Sequence, residues 1–154
     1  MSAAVHLQPS DDLRIVYASG NENAPGDPFG ECVLILHGDG GARLDNRHAG
    51  KARAFTGRID AATLTRIVDG LNLAGFPVVP PHRISPGATR SLTVRSGDAE
   101  HHILPMGWHA APKIAGYREV FHLLDSIIVE IAGGAIPLIR NAEPGLVREA
   151  AAVG

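Results

Sequence analysis

The stretch ECVLILHGDGG, residues 31–41, decides the class of fold. Its apolar run from Cys32 to Leu36 is shorter than an ordinary helix and is typical of a central strand that is covered on both faces. The turn formers at residues 38–41 favour a hairpin directly after it. The chain should therefore return as an antiparallel neighbour within residues 42–48, although the pattern there is weak and polar.

Further strand patterns flank this hairpin. Residues 13–18 precede it with alternating side chains, and residues 51–59 follow it as the next strand candidate. Phe55 and the alanines of the later segment fall on opposite sides, so the sequence leaves open which side faces inward.

A second hairpin is predicted later in the chain. Residues 90–96 and 99–104 form its strands, Gly97-Asp98 forms its turn, and Pro105 should end it. Because strands joined by tight turns run antiparallel, we expect a mostly antiparallel sheet of about six strands.

Two amphipathic helices complete the pattern. Asp60 suits an N-cap, and apolar residues recur at helical spacing over residues 61–73 until Gly75. The second helix is predicted over residues 117–131. The order ββββαββα predicts an α+β two-layer sandwich with both helices on one face. Four residues of the first helix should be buried against the strand of residues 32–36: Leu64, Ile67, Val68 and Leu71.

Length and composition restrict the organisation of the protein. The chain has 154 residues, and we interpret residues 1–134 as a single domain and residues 135–154 as a C-terminal tail. Glu143-Pro144-Gly145 could start a short helix in this tail that runs through Ala152. A net charge of −2 argues against binding to nucleic acid. The apolar stretches are too interrupted for a membrane span, and no signal peptide is recognisable, so we expect a cytoplasmic protein without membrane association.

The sequence offers no convincing catalytic or metal-binding constellation. The adjacent His101 and His102 should point to opposite faces of a strand, which keeps them from sharing a metal ion. Cys32 lies in an apolar strand, where a thiol is usually inert. We therefore assign no catalytic, metal or cofactor residue and expect no cofactor. A small enzyme that acts on a small molecule through loop histidines is kept as an alternative.

Arginines are numerous and could suggest a charged patch. Four of them are interleaved with acidic residues, which indicates a solvated surface of mixed sign: Arg83, Arg90, Arg95 and Arg118. Binding is expected elsewhere. Two Pro-rich loops, residues 80–87 and 105–112, lead into and out of the second hairpin, whose open end should bring them together.

The contact surface that we predict at this open end carries three residues that differ in chemistry. They are a cation, a large apolar anchor and a titratable donor: Arg83, Trp108 and His109. The partner is expected to be another protein. A homo-oligomer formed through the C-terminal tail is the competing hypothesis, because the tail is more apolar than an exposed tail should be.

The order and spacing of these elements resemble a set of small bacterial α+β domains that includes emfourin-type inhibitors of protealysin-like metalloproteases. The matching pieces are DAATLTRIVDGLNLAGFP at residues 60–77, the loop 80–87, Leu92-Thr93-Val94 and the helix after Tyr117. The resemblance covers about residues 13–131 and implies a non-catalytic module that acts by binding, as an inhibitor does. The chain departs from the pattern in residues 19–28, residues 105–116 and the tail.

Overall fold

The computed structural model describes residues 4–20, 30–79, 89–107, 115–136 and 142–153. These residues form seven strands and two helices, in the following order: β1 (Leu13–Ser19), β2 (Glu31–His37), β3 (Gly41–His48), β4 (Lys51–Ile59), α1 (Ala61–Ala74), β5 (Thr89–Ser96), β6 (Ala99–Gly107), α2 (Tyr117–Ile131) and β7 (Val147–Ala152).

All seven strands belong to one antiparallel sheet in the order β6-β5-β1-β2-β3-β4-β7. The predicted α+β class and the mostly antiparallel sheet are confirmed. The predicted strand count and the order ββββαββα are wrong, because the segment interpreted as a tail adds β7 beside β4. The short helix suggested for that segment is wrong too. Pairing with β4 gives its backbone hydrogen bonds, and one example is Val153 N–H to Ala54 O at 2.8 Å.

Only one face of the sheet is covered by the helices. Ile15 lies opposite Leu36 on one side and Val94 on the other, and all three are buried. The intervening residues Val33 and Ile35 are only half-buried. The prediction that residues 32–36 are covered on both faces is therefore wrong, because a two-layer fold covers each strand on one side only.

The orientation of β4 follows from its register with β3. Phe55 lies opposite the buried Leu44 and so points to the covered face, whereas Ala54 lies opposite Asp45 on the other face. The alanine side of this strand is the outer side.

Helix α1 begins and ends where the sequence predicts. Asp60 is its N-cap residue, but the carboxylate makes no capping hydrogen bond and instead meets the Arg148 guanidinium. Gly75 ends the helix with a φ of 79°, in the left-handed region that glycine tolerates. The four predicted core residues of α1 are buried. The helix packs along α2, and α2 approaches β2 and β4.

The second hairpin is longer than predicted. Pro105 does not end β6, which continues to Gly107. Proline is tolerated there because β6 is an edge strand and Pro105 lies between Met106 and Ile103, where the pairing with β5 is irregular. The register shifts by an irregularity between Arg90 and Leu92.

Candidate functional site

Described residues that adjoin the two Pro-rich segments lie side by side at one end of the sheet, called here the loop end. Thr89 begins β5 and lies directly opposite Gly107, the last residue of β6. The register therefore brings together the residues that precede and follow these loops. Arg83, Trp108 and His109 themselves lie outside the described residues.

A buried ion pair lies directly beneath these anchors. Arg90 comes directly after Thr89, and its side chain points to the face of the sheet that the helices cover, where it is 4% exposed. Its Nη2 atom is 3.6 Å from Oδ2 of Asp125 on α2. The guanidinium carbon also lies 4.9 Å from the centre of the Phe121 ring. The interpretation of Arg90 as part of a solvated surface is wrong, because the register with β1 turns it toward α2.

Tyr17 completes this cluster from the centre of the sheet. Its hydroxyl donates a 2.7 Å hydrogen bond to Oδ1 of Asp125, and its ring lies 5.6 Å from that of Phe121. Both oxygens of Asp125 are therefore occupied, one by a phenol and the other by a guanidinium. We call Tyr17, Arg90, Phe121 and Asp125 the anchor cluster.

Burial shifts the pKa values of Asp125 and Tyr17 within the anchor cluster. It raises the pKa of Asp125, although the charge of Arg90 and the hydrogen bond from Tyr17 oppose the change. Burial, and then the nearby Asp125 carboxylate, raise the pKa of Tyr17 well above its ordinary value. Tyr17 thus remains a protonated donor under ordinary conditions.

A polar row continues from the anchor cluster across the sheet. Ser19 lies opposite Arg90 on one side and Cys32 on the other, and Cys32 lies opposite Asn46. The amide nitrogen of Asn46 donates to Sγ of Cys32 at 3.4 Å, and its amide oxygen accepts from Arg53 at 3.0 Å. The row spans five neighbouring strands, from β5 to β4, at the loop end.

This arrangement is suited to holding strand ends in place. The carboxylate of Asp125 has both oxygens engaged, and Cys32 has no exposed surface. Neither group presents a reactive atom to solvent. A buried charge pair of this kind resists separation, since removing either partner leaves a buried charge without its counter-ion.

The other candidate groups lie apart from the anchor cluster. His101 lies opposite Val94 and His102 opposite Thr93, which confirms that the two histidines occupy opposite faces. Among the residues that the structure describes, no three histidine, cysteine or acidic side chains are grouped so as to hold a metal ion. No helix in the described part of the chain is long and apolar enough to cross a membrane.

The sequence did contain a signal for the anchor cluster. Asp125 lies four residues after Phe121 and eight after Tyr117, on the apolar stripe of α2. An acidic residue on a buried stripe requires a buried partner. Arg90 is two residues before Leu92 and therefore shares its inward face. Reading these two periodicities together would have predicted the pair.

No protein-family model matches the chain, and a search of curated proteins finds no significant match.

Proposed function

We propose that this protein is a non-catalytic, inhibitor-like domain that binds another protein through its loop end, in the cytoplasm. The contact residues in this proposal are Arg83, Trp108 and His109. The observation that supports it is the pairing of Thr89 with Gly107 directly above the buried contact of Arg90 with Asp125.

Fixed loop ends lower the ordering cost of binding. A loop whose ends are fixed loses less conformational freedom when it binds than a loop with free ends. The anchor cluster ties the start of β5 to α2, and the hairpin ties the end of β6 to β5. Recognition residues on loops that a rigid scaffold holds are a common arrangement, and tryptophan and arginine are frequent anchors at protein interfaces.

The experiment is affinity capture from the native cell extract with the full chain as bait. We expect Trp108→Ala to lose the partner that the wild type retains. Leu73→Ala is the matched control, because Leu73 is 74% exposed on α1 and its truncation removes a large apolar group from the surface. Equal capture by wild type and Trp108→Ala would overturn the loop-end proposal.

A second candidate, a structural subunit assembled through the C-terminal segment, is favoured by the position of β7. This strand is at the edge of the sheet, so its outer side has no partner strand among the described residues. Val153 N–H points to β4, so the N–H of Ala152 should point outward. Ala152→Pro would then block pairing at the outer edge and keep the β4 contact. The second candidate would be supported if Ala152→Pro lost assembly while Trp108→Ala captured the partner as the wild type does.

A further inference from the structure

The face of the sheet opposite the helices has an apolar centre. No described element covers this open face. Val16 lies directly opposite Ile35, and Ala18 lies directly opposite Val33, so the four side chains form one block on the central strands β1 and β2. All four are half-buried. We call them the aliphatic quartet.

Polar residues surround the aliphatic quartet. On the β3 side, Arg43 lies opposite Ile35 and Asp45 lies opposite Val33. These two side chains form an ion pair of 3.0 Å, and each is nearly half exposed. On the β5 side, Thr93 lies opposite Val16 and Ser91 opposite Ala18.

The two ends of the block differ in charge. At one end, His37 follows Ile35 on β2 and lies opposite Arg14 on β1; at the other end, Glu31 precedes Val33 and lies opposite Arg47 on β3. A guanidinium and an imidazole therefore border one end, and a carboxylate beside a guanidinium borders the other. An apolar centre within a polar border is the usual composition of a protein interface.

We propose that the open face is the interface of a symmetric homodimer, in which the open faces of two copies pack sheet against sheet. Facing sheets pack about 10 Å apart with their strands nearly aligned. The two-fold axis would cross the strands through the centre of the aliphatic quartet. The proposal does not depend on the loop-end proposal, because its evidence is the open face of the sheet and not the loops.

Charge complementarity selects this axis and this partner. Rotation about it exchanges the two ends of the block, so Arg43 of each copy faces Asp45 of the other. It likewise sets His37 of each copy against Glu31 of the other. An axis along the strands would instead set Arg14 against His37, since those residues lie opposite each other on β1 and β2. Only the first arrangement pairs opposite charges, and each pair occurs twice because the interface is isologous.

The composition of the open face favours a second copy over a nucleic acid. Proteins that bind single strands stack bases on aromatic side chains. Among the described residues of β1 to β5, every Phe and Tyr belongs to the covered face: Tyr17 and Phe55. The open face instead offers aliphatic side chains and both signs of charge.

The test is sedimentation equilibrium of the full chain at concentrations up to about 100 µM, with matched charge variants. We expect the wild type to dimerise. Ile35→Asp should weaken the dimer at least about tenfold, because it places a charge in the apolar centre. Arg43→Asp and Asp45→Arg should each weaken the dimer to a similar extent, because each variant places like charges opposite each other across the two-fold axis.

Mixing the two charge variants distinguishes an ion pair between copies from the ion pair within one copy. Arg43→Asp combined in equal amounts with Asp45→Arg should form a heterodimer, since every facing pair is then opposite in sign. Lys51→Asp is the control. Ala52 and Ala54 are on the open face, so Lys51, which has the opposite parity on β4, is on the other face. Circular dichroism verifies that each variant is folded. A monomeric wild type, a dimer unaffected by Ile35→Asp, or folded variants that stay monomeric on mixing would each overturn the proposal.

Discussion

Tyr17 and Asp125 are 108 positions apart in the chain and are joined by a buried hydrogen bond of 2.7 Å. This bond connects the middle of the sheet to the middle of α2. Because Asp125 also meets Arg90, one carboxylate holds β1, β5 and the helix together. The stability of the loop end should therefore depend on this residue more than on any surface ion pair nearby.

Replacing Asp125 should be strongly destabilising. Asp125→Ala would leave the buried guanidinium of Arg90 without this carboxylate, and we expect a loss of about 3–5 kcal/mol in the free energy of unfolding. Tyr17→Phe removes only the hydroxyl and should cost about 1–3 kcal/mol. Denaturant titration measures both. A loss below about 1 kcal/mol for Asp125→Ala would show that the ion pair contributes little.

Tyr17 should make the protein sensitive to alkali. Its folded-state pKa is raised well above the ordinary 10.0, and burial raises the pKa of Tyr117 to about 12. The unfolded chain therefore releases these protons first, and the free energy of unfolding should fall as the pH rises above 10. Tyr17→Phe should reduce this dependence on pH. Urea titrations in the alkaline range test it, and equal slopes for both proteins would contradict it.

Truncating leucines of α1 should lower the free energy of unfolding in proportion to how deeply each side chain is buried. Leu71 has no exposed surface, whereas Leu73, two residues later, is 74% exposed. We expect Leu71→Ala to cost about 2–5 kcal/mol and Leu73→Ala to change the free energy of unfolding by about 0.5 kcal/mol or less. The comparison removes the same atoms from the same helix. Similar values for both variants would mean that the assignment of the buried face is wrong.

Local signals predicted most of the fold. The turn at residues 38–41, the left-handed stop at Gly75 and the apolar stripe of α2 each depend on residues that are close in sequence. Those elements were predicted within a few residues. The sequence VREAAA of β7 has no alternation, and its strand conformation comes from the edge of β4, about 90 residues earlier in the chain.

Long-range partners explain what sequence reasoning missed at the candidate site. Arg90 carries a charge, which usually indicates a surface position. Its burial depends on Asp125 and Phe121, which reach it only after α2 has packed on the sheet. Arg83, Trp108 and His109 lie outside the described residues, so the loop-end contact remains a prediction.

Gly70 should reverse the usual effect of replacing glycine by alanine in a helix. Within a helix, alanine is favoured over glycine by about 1 kcal/mol. At Gly70, however, an added Cβ would lie 2.6 Å from Cγ2 of Val120 and 3.1 Å from the carbonyl oxygen of Gly116, because α1 and α2 approach closely there. We therefore expect Gly70→Ala to destabilise the protein by about 1–3 kcal/mol. Val120→Ala is itself costly because Val120 is buried, but the loss in the double variant should be smaller than the sum of the two single losses, since the nearer obstacle is gone. Thr65→Ala, at an exposed position of the same helix, is the control and should be neutral or slightly stabilising. Denaturant titration of the single variants and the double variant decides the matter, and a stabilised Gly70→Ala would show that the two helices can separate at no cost.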